Sequence, residues 1–202
     1  MLAILTLLVV SITLLSGAIN IIALCLPLYY AFAYGLHLPA AVNLSFGQML
    51  ANYHAVWRYV LFPWEKHLVM PNFPSSAQGL FHFAEVKTLF HGNQLFFLLG
   101  LLLSYYLLKK SRQQGLSWQL SRYFKGLIPL SLALIFALLL FFAPIFTAFH
   151  ELVFRNDAWL FRLDQDPVIQ ILPESYFMAC FIGVFIVFIL GLWLLSYQLK
   201  RS

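Results

Sequence analysis

The sequence predicts an all-α integral membrane protein with four transmembrane helices, and composition is the first reason. Of the 202 residues, 62% are hydrophobic and only 9% are charged, whereas soluble domains average about 45–50% and about 25%. A soluble fold of this size could not bury so much apolar surface. The second reason is a set of four long apolar stretches, and the third is the segregation of Lys and Arg between them. Composition therefore excludes a soluble globular protein, a nucleic-acid-binding module and a disordered chain.

Each apolar stretch is long enough to cross a bilayer as a helix. About 20 apolar residues span the hydrocarbon core, and lipid offers no hydrogen-bond partner to an open backbone. The N-terminal stretch lacks a basic n-region and far exceeds a signal peptide's apolar core, so we expect an uncleaved helix. The predicted transmembrane helices cover residues 1–34, 89–108, 126–149 and 175–199.

Lys and Arg predict the orientation of these helices. The segment 109–125 contains five of them and no acid, and the tail 200–202 contains two and no acid. Short basic segments favour the cytoplasm. With four spans, both termini are then cytoplasmic, and the segments 35–88 and 150–174 are extracytoplasmic.

The two outer segments are predicted to be partly helical and to form a small outer cap. Ser45 and Gln48 fit a capping box at the start of an amphipathic helix that ends before Pro63. Ser75 and Gln78 fit a second capping box, which opens a helix leading into the second span. Polar groups held by such short helices lie at the membrane surface.

Side chains that exchange protons are concentrated on the outer side. Every acid lies in the two outer segments, and every histidine lies there or at the outer mouth of the second span. Histidine takes and returns protons near neutral pH, so we expect the function at the outer interface. The histidines are His37, His54, His67, His82, His91 and His150, and the acids are Glu65, Glu85, Glu151, Asp157, Asp164, Asp166 and Glu174.

Two histidines have the most suggestive surroundings. His82 and Glu85 are three residues apart in a predicted helix, so they share a face, and the carboxylate can orient the ring; the alternative is an exposed polar pair. His150 stands where the third span meets water. Asp164 and Asp166 precede a proline, which is more typical of a turn than of a cation site.

Covalent and cofactor chemistry have little support in the residues. Cys25 and Cys180 fall within predicted spans, where free cysteine is a common small apolar residue. Two cysteines support no zinc framework. The sequence also lacks a glycine-rich phosphate loop and a serine nucleophile elbow. We therefore expect neither a metal nor a cofactor.

Two stretches in the outer segments resemble the signatures of a known family. Residues 81–87 read Phe-His-Phe-Ala-Glu-Val-Lys, and residues 149–159 read Phe-His-Glu-Leu-Val-Phe-Arg-Asn-Asp-Ala-Trp, followed by matching stretches at 166–169 and 172–174. With four spans and an Asn-Tyr pattern beginning at Asn52, the chain resembles the bacterial integral membrane family that contains the lipoprotein intramolecular transacylase.

This resemblance implies an acyltransferase of the bacterial plasma membrane. Its substrate would be a lipoprotein whose N-terminal cysteine carries a diacylglyceryl group, and membrane lipids would surround it. The enzyme would move the sn-2 acyl chain to the cysteine α-amine, giving a lyso-form lipoprotein. Two histidines are thought essential in the family, and the matching positions here are His82 and His150.

The remaining candidate residues are assigned within this hypothesis. We expect His82 to be the base and His150 to be its acid partner or an oxyanion stabiliser. Because ester and amine belong to one molecule, positioning supplies much of the rate, and no covalent acyl-enzyme is needed. Orienting or oxyanion roles are predicted for Glu85, Glu151, Asn156 and Asp157, and contacts to substrate or lipid headgroups for Lys87 and Arg155.

Two other classes of function remain open from the residues. One is a different membrane enzyme that modifies lipids or acyl groups with the same histidines. The other is a non-enzymatic lipid-binding or membrane assembly protein. A transporter is disfavoured because the spans contain no acid, whereas proton relays in the bilayer normally do.

Overall fold

The computed structural model describes residues 1–201, and it confirms the all-α class. Within these residues there is no strand, and a short 3-10 helix, η1, covers Pro167–Ile171. Four of the α-helices, α1, α5, α6 and α7, are long and apolar enough to cross a membrane. The α-helices are α1 (Leu2–Ala23), α2 (Leu26–Gly35), α3 (Leu38–Ala41), α4 (Phe46–Leu61), α5 (Ala77–Gln113), α6 (Ser117–Phe154) and α7 (Glu174–Arg201).

Residues 1–34 differ from the single helix that their apolar character predicts. The helix α1 ends at Ala23, and α2 begins at Leu26 with Pro27 in its first turn. Proline has no N–H to bond a carbonyl one turn earlier, and its ring collides with that carbonyl. A helix therefore ends before Pro27 and a new one starts there, since the first turn tolerates proline.

The helices α5 and α6 extend well beyond the apolar spans predicted for them. They contain 37 and 38 residues, which corresponds to about 55 Å against a hydrocarbon core of about 30 Å. Much of the predicted 109–125 loop is helical, and the turn between α5 and α6 contains Gly115 with a φ of 70°. Within α6 the helical geometry is broken at Phe141, which the missing N–H of Pro144 explains.

The chain divides into two compact units. The first comprises Met1–Leu24, Asn93–Phe141 and Ala179–Ser202. Its segments approach closely where a small residue faces a bulky one. At Gly17 the Phe97 ring is so near that a side-chain Cβ in place of the glycine hydrogen would lie 2.7 Å from it. Hydrogen bonds between hydroxyl groups link its helices, and one example joins the Thr6 and Ser111 hydroxyl oxygens at 2.9 Å. Close packing and buried hydrogen bonds of this kind hold helices together in lipid.

The second unit comprises Cys25–Gly92 and Phe142–Met178 and holds both histidines of interest. Three tyrosines form part of its core. Tyr29 stacks on Tyr53, and the Tyr53 hydroxyl lies 2.8 Å from that of Tyr176. The Tyr29 hydroxyl donates to the Ile171 carbonyl at 3.0 Å. These bonds satisfy the buried hydroxyls and tie α2, α4, η1 and α7 together.

The helix α4 begins and ends as the sequence predicts. The Ser45 hydroxyl accepts from the Gln48 backbone N–H at 3.2 Å, and the Gln48 side chain accepts from the Ser45 N–H at 2.9 Å. This reciprocal pair is a capping box. The last residue of α4 is Leu61, two positions before Pro63. Asn52, from the family-like pattern, is buried and bonded to Asn72, so it anchors the following loop to α4.

The second predicted capping box is wrong in its partners. Ser76, and not Ser75, caps α5, because its hydroxyl accepts from the Gly79 N–H at 2.9 Å. The other half of the box comes from Asp166, which accepts from the Ser76 N–H at 2.8 Å and from its hydroxyl at 2.6 Å. A buried carboxylate at a helix N-terminus stabilises the exposed N–H groups there. The Asp-x-Asp-Pro turn thus serves to fix the start of α5.

Gly79→Ala is expected to destabilise the protein by about 1–3 kcal/mol. A Cβ at this position would lie 2.3 Å from an Asp166 carboxylate oxygen, so Asp166 would have to leave Ser76. The measurement is the thermal unfolding temperature in detergent. Gly92→Ala, in the same helix, is the matched control, because a Cβ there meets no atom of the described chain within 4 Å. Equal unfolding temperatures for the two variants would contradict the prediction.

Candidate functional site

The candidate site is a pair of buried histidines within the second unit. His82 lies near the start of α5 and His150 near the end of α6. The two residues are only 6% and 9% exposed, and their ring centroids are 5.9 Å apart. The structure therefore brings together two residues that the sequence singled out from two different segments, both predicted to be extracytoplasmic.

Aromatic side chains line both imidazole rings. The His82 ring centroid lies 4.7 Å from that of Phe154 and 5.6 Å from that of Phe161. The His150 ring centroid lies 4.1 Å from that of Phe146 and 4.9 Å from that of Trp159. We call these four side chains, Phe146, Phe154, Trp159 and Phe161, the aromatic wall. Such a wall excludes water and strengthens electrostatic interactions beside it.

Glu85 is the carboxylate beside His82. Its Oε2 lies 4.0 Å from His82 Nδ1, which is too long for a hydrogen bond but close enough for a charge to act. Its Oε1 accepts from the Asn156 side-chain amide at 2.9 Å. Helical spacing explains the approach of Glu85 to His82, as predicted. The partnership with Asn156 is tertiary, since that residue follows α6.

Asn156 has no amide hydrogen left for a substrate. Its second hydrogen goes to the Phe154 carbonyl at 2.8 Å, and its oxygen accepts from the Ala158 N–H at 2.9 Å. An Asn side chain has two hydrogens to donate, and Glu85 takes the other. This arrangement favours a positioning role, holding Glu85 and the turn after α6, over the predicted oxyanion role.

The protonation of the His150 ring follows from its backbone contact. Its Nδ1 lies 2.7 Å from the Phe146 carbonyl oxygen. A carbonyl only accepts, so Nδ1 carries a hydrogen, and Nε2 of the neutral ring is free to accept a proton. The contact spans four residues of α6, so the helix itself sets the ring orientation.

Three buried polar atoms at the site have no hydrogen-bond partner among the described residues. They are His82 Nδ1, Glu85 Oε2 and Trp159 Nε1. Buried polar groups are almost always bonded, and leaving one unmet costs about 1–3 kcal/mol. Unmet groups clustered in one place are typical of a site that a ligand completes.

The other predicted site residues lie on or near the surface. Glu151 and Asp157 are exposed, and Gln78 donates to the Asp157 backbone carbonyl. Arg155 is exposed, with a left-handed φ of 54°. The Lys87 ammonium donates to the backbone carbonyls of Phe62 and Glu65 and lies 4.4 Å from the centroid of the Tyr59 ring. Lys87 is thus held by the protein's own groups.

The remaining polar candidates have local roles. His54 bonds the Tyr30 hydroxyl at 2.8 Å, and burial, aided by the Arg58 charge, lowers the pKa of His54. Asp164 pairs with Arg162 at 3.0 Å on the surface, and this hydrogen bonding lowers the pKa of Asp164. Within residues 1–201, no cluster of three or more His, Cys, Asp or Glu side chains is suited to a metal ion.

The aromatic wall was not predicted from the sequence. Phe146 could have been found, because it lies four residues before His150 and so faces the same side of a helix. Trp159 falls within the second family-like stretch, but no function was assigned to it from the sequence. No sequence pattern indicated Phe161, since its contact with His82 forms only because the chain folds back after α6.

Comparisons with a family model and with solved structures point to the same family of proteins. One family model, described as "Lipoprotein intramolecular transacylase Lit", matches residues 4–177. The membrane integral lipoprotein intramolecular transacylase Lit from Bacillus cereus is similar in structure, with a TM-score of 0.87 and 24% identity over 99% of this chain and 93% of that one. No curated protein sequence matches the chain.

Two further structures of the Bacillus cereus protein carry a substitution of one histidine, by arginine or by alanine. Each has a TM-score of 0.82 and 22% identity, and each covers 99% of this chain. The similar chains are covered to 89% and 90% of their lengths. At these identities the likeness concerns the fold, with all four membrane-crossing helices included.

Proposed function

We propose, because this chain belongs to the lipoprotein intramolecular transacylase family Lit, that His82 and His150 carry out its acyl transfer as an acid–base pair. Membership makes the chain a membrane-bound acyltransferase that acts on lipoproteins. The proposed reaction moves the sn-2 acyl chain of an S-diacylglyceryl cysteine to the α-amine of the same cysteine. The observation that carries the assignment is the buried histidine pair, with ring centroids 5.9 Å apart.

The reaction is the aminolysis of an ester, and its protons can be followed. The α-amine is largely protonated at neutral pH, so one proton must leave before the nitrogen attacks the acyl carbon. A second proton leaves the nitrogen as the new C–N bond forms. Of these two protons, the first is delivered to the glycerol oxygen as the C–O bond breaks, and the second is released to solvent. Two histidines suffice for these transfers.

The surroundings of each histidine suggest its part. Nε2 of neutral His150 can take the first proton and later give it to the glycerol oxygen. His82 takes the second, and Glu85, 4.0 Å from its Nδ1, stabilises the imidazolium that results. In this scheme the Glu85 charge acts on the base through space, and no covalent acyl-enzyme forms.

The aromatic wall supports transfer over hydrolysis. Phe154, Phe161 and Trp159 shield the two rings, so water has little access to the ester. Amine and ester belong to one substrate molecule, and holding them in contact supplies up to about 7–11 kcal/mol of the barrier. Positioning therefore replaces a protein nucleophile.

We place this site on the extracytoplasmic side of the plasma membrane. Lys and Arg are enriched in the segment between α5 and α6 and in the C-terminal tail, so these parts and both termini face the cytoplasm. His82 and His150 lie at the opposite ends of α5 and α6. Exposed Arg155, which follows α6 directly, is suited to a lipid phosphate or the substrate backbone.

The proposed reaction is tested by expressing the chain in a bacterium whose lipoproteins keep a free α-amine. Mass spectrometry of a purified lipopeptide should then reveal one acyl chain on the α-amine and one missing from the glycerol. Cells with an empty vector provide the control. Unchanged diacylglyceryl lipopeptides, with the chain present in the membrane, would rule the proposal out.

A further inference from the structure

We infer that the indole N–H of Trp159 donates a hydrogen bond to the oxyanion of the tetrahedral intermediate, a role that rests on the proposed acyl transfer. Trp159 lies beside His150, with the ring centroids 4.9 Å apart and the ring planes at 37°. Its Nε1 is buried and has no partner among the described residues. The N–H is therefore a donor held at the site with no acceptor of its own.

The chemistry of the indole suits an oxyanion donor. Its N–H only donates and does not ionise near neutral pH, so it stabilises negative charge without entering the proton transfers. A buried Trp usually finds a partner for this group, and its absence costs free energy. That cost is recovered when a substrate oxygen accepts the bond, and most fully when the oxygen carries charge, as it does in the intermediate.

Two neighbouring side chains that could donate to an oxyanion already make other hydrogen bonds. Both amide hydrogens of Asn156 are given to Glu85 and to the Phe154 carbonyl. The Nδ1 hydrogen of His150 is given to the Phe146 carbonyl. His82 Nδ1 is also unmet, but that ring is assigned to proton transfer. Outside the two histidines, Trp159 is thus the donor discussed at the site that can turn to a substrate oxygen without first losing a bond.

The chain around Trp159 holds the indole in place. The Ala158 N–H donates to the Asn156 side chain at 2.9 Å, and the Phe161 N–H donates to the Trp159 carbonyl at 3.1 Å. These bonds fix the backbone on both sides of the ring. A donor that is held before the reaction begins needs no reorganisation as charge develops, which is the property an oxyanion site requires.

The test is Trp159→Phe in the full-length protein, purified in detergent and assayed with a synthetic S-diacylglyceryl lipopeptide that has a free α-amine. We expect kcat to fall about 100-fold, the loss typical of one oxyanion donor, with KM within about twofold and the shape of the pH profile unchanged. Trp64→Phe is the control, since that residue is 69% exposed. A kcat within about twofold of the original enzyme would overturn the inference.

A second variant separates hydrogen bonding from packing. Replacing Trp159 by benzothienylalanine keeps the shape of the indole but puts sulfur in place of the N–H. We expect kcat to fall as it does in Trp159→Phe, and full activity would show that only the shape matters. The proposed function fails separately, since the unaltered enzyme would then give no N-acylated product.

Discussion

His82→Ala and His150→Ala should each reduce the formation of lyso-form lipopeptide at least 100-fold, to the limit of detection. Each substitution removes one partner of a proton-transfer pair, and general acid–base catalysis contributes about 10²–10⁴-fold per group. Both side chains are buried at the site, with ring centroids 5.9 Å apart, so water cannot readily replace a missing ring. The measurement is the N-acylated fraction of a lipopeptide by mass spectrometry.

A control and a double variant make this result specific. His67→Ala should retain activity, because His67 is exposed in the loop after α4, and immunoblots of membrane fractions check that all variants are inserted. The variant lacking both His82 and His150 should be little worse than either single variant, since groups that act as a unit lose their effect together. Full activity in both single variants would refute the site assignment even if the reaction itself is observed.

Glu85→Gln should lower kcat about 100-fold while leaving the fold intact. Glutamine has the shape of glutamate, and its oxygen can still accept the Asn156 bond, now 2.9 Å long. What it lacks is the negative charge beside His82 Nδ1, which stabilises the imidazolium. The measurement is kcat with the synthetic lipopeptide, together with the thermal unfolding temperature.

Glu151→Gln is the matched control for this substitution. Glu151 is next to His150 in the sequence, but its side chain is exposed, where a charge acts weakly through water. We expect its kcat to stay within about twofold of the original value. If Glu151→Gln proves the more damaging of the two, then His150 and not His82 is the ring that depends on a carboxylate.

Local patterns in the sequence were sufficient for several structural details. The Ser45 and Gln48 capping box formed as predicted, because both partners lie within one turn of helix. The approach of Glu85 to His82 also follows from helical spacing. The break before Pro27 was missed although proline was visible, because apolar character continues through it and hydropathy does not detect a helix end.

Contacts between distant residues lay beyond such patterns. Asp166 accepts a hydrogen bond from the Ser76 N–H at the start of α5, although the two residues are 90 positions apart in the chain. Its local Asp-x-Asp-Pro pattern indicated only a turn. The resemblance to a family identified His82 and His150 as important without placing them side by side. The unmet N–H of Trp159 became visible only when every neighbouring donor and acceptor could be counted.

The sequence by itself determined that this protein is helical and crosses the membrane four times. The reason is that lipid leaves a chain with 62% hydrophobic residues no alternative to closing its backbone hydrogen bonds within each span. Only the tertiary structure decided which polar groups lie together away from solvent. That pairing depends on how segments far apart in the chain pack, and Phe154, Phe161 and Trp159 lie against the two histidine rings only in the folded chain.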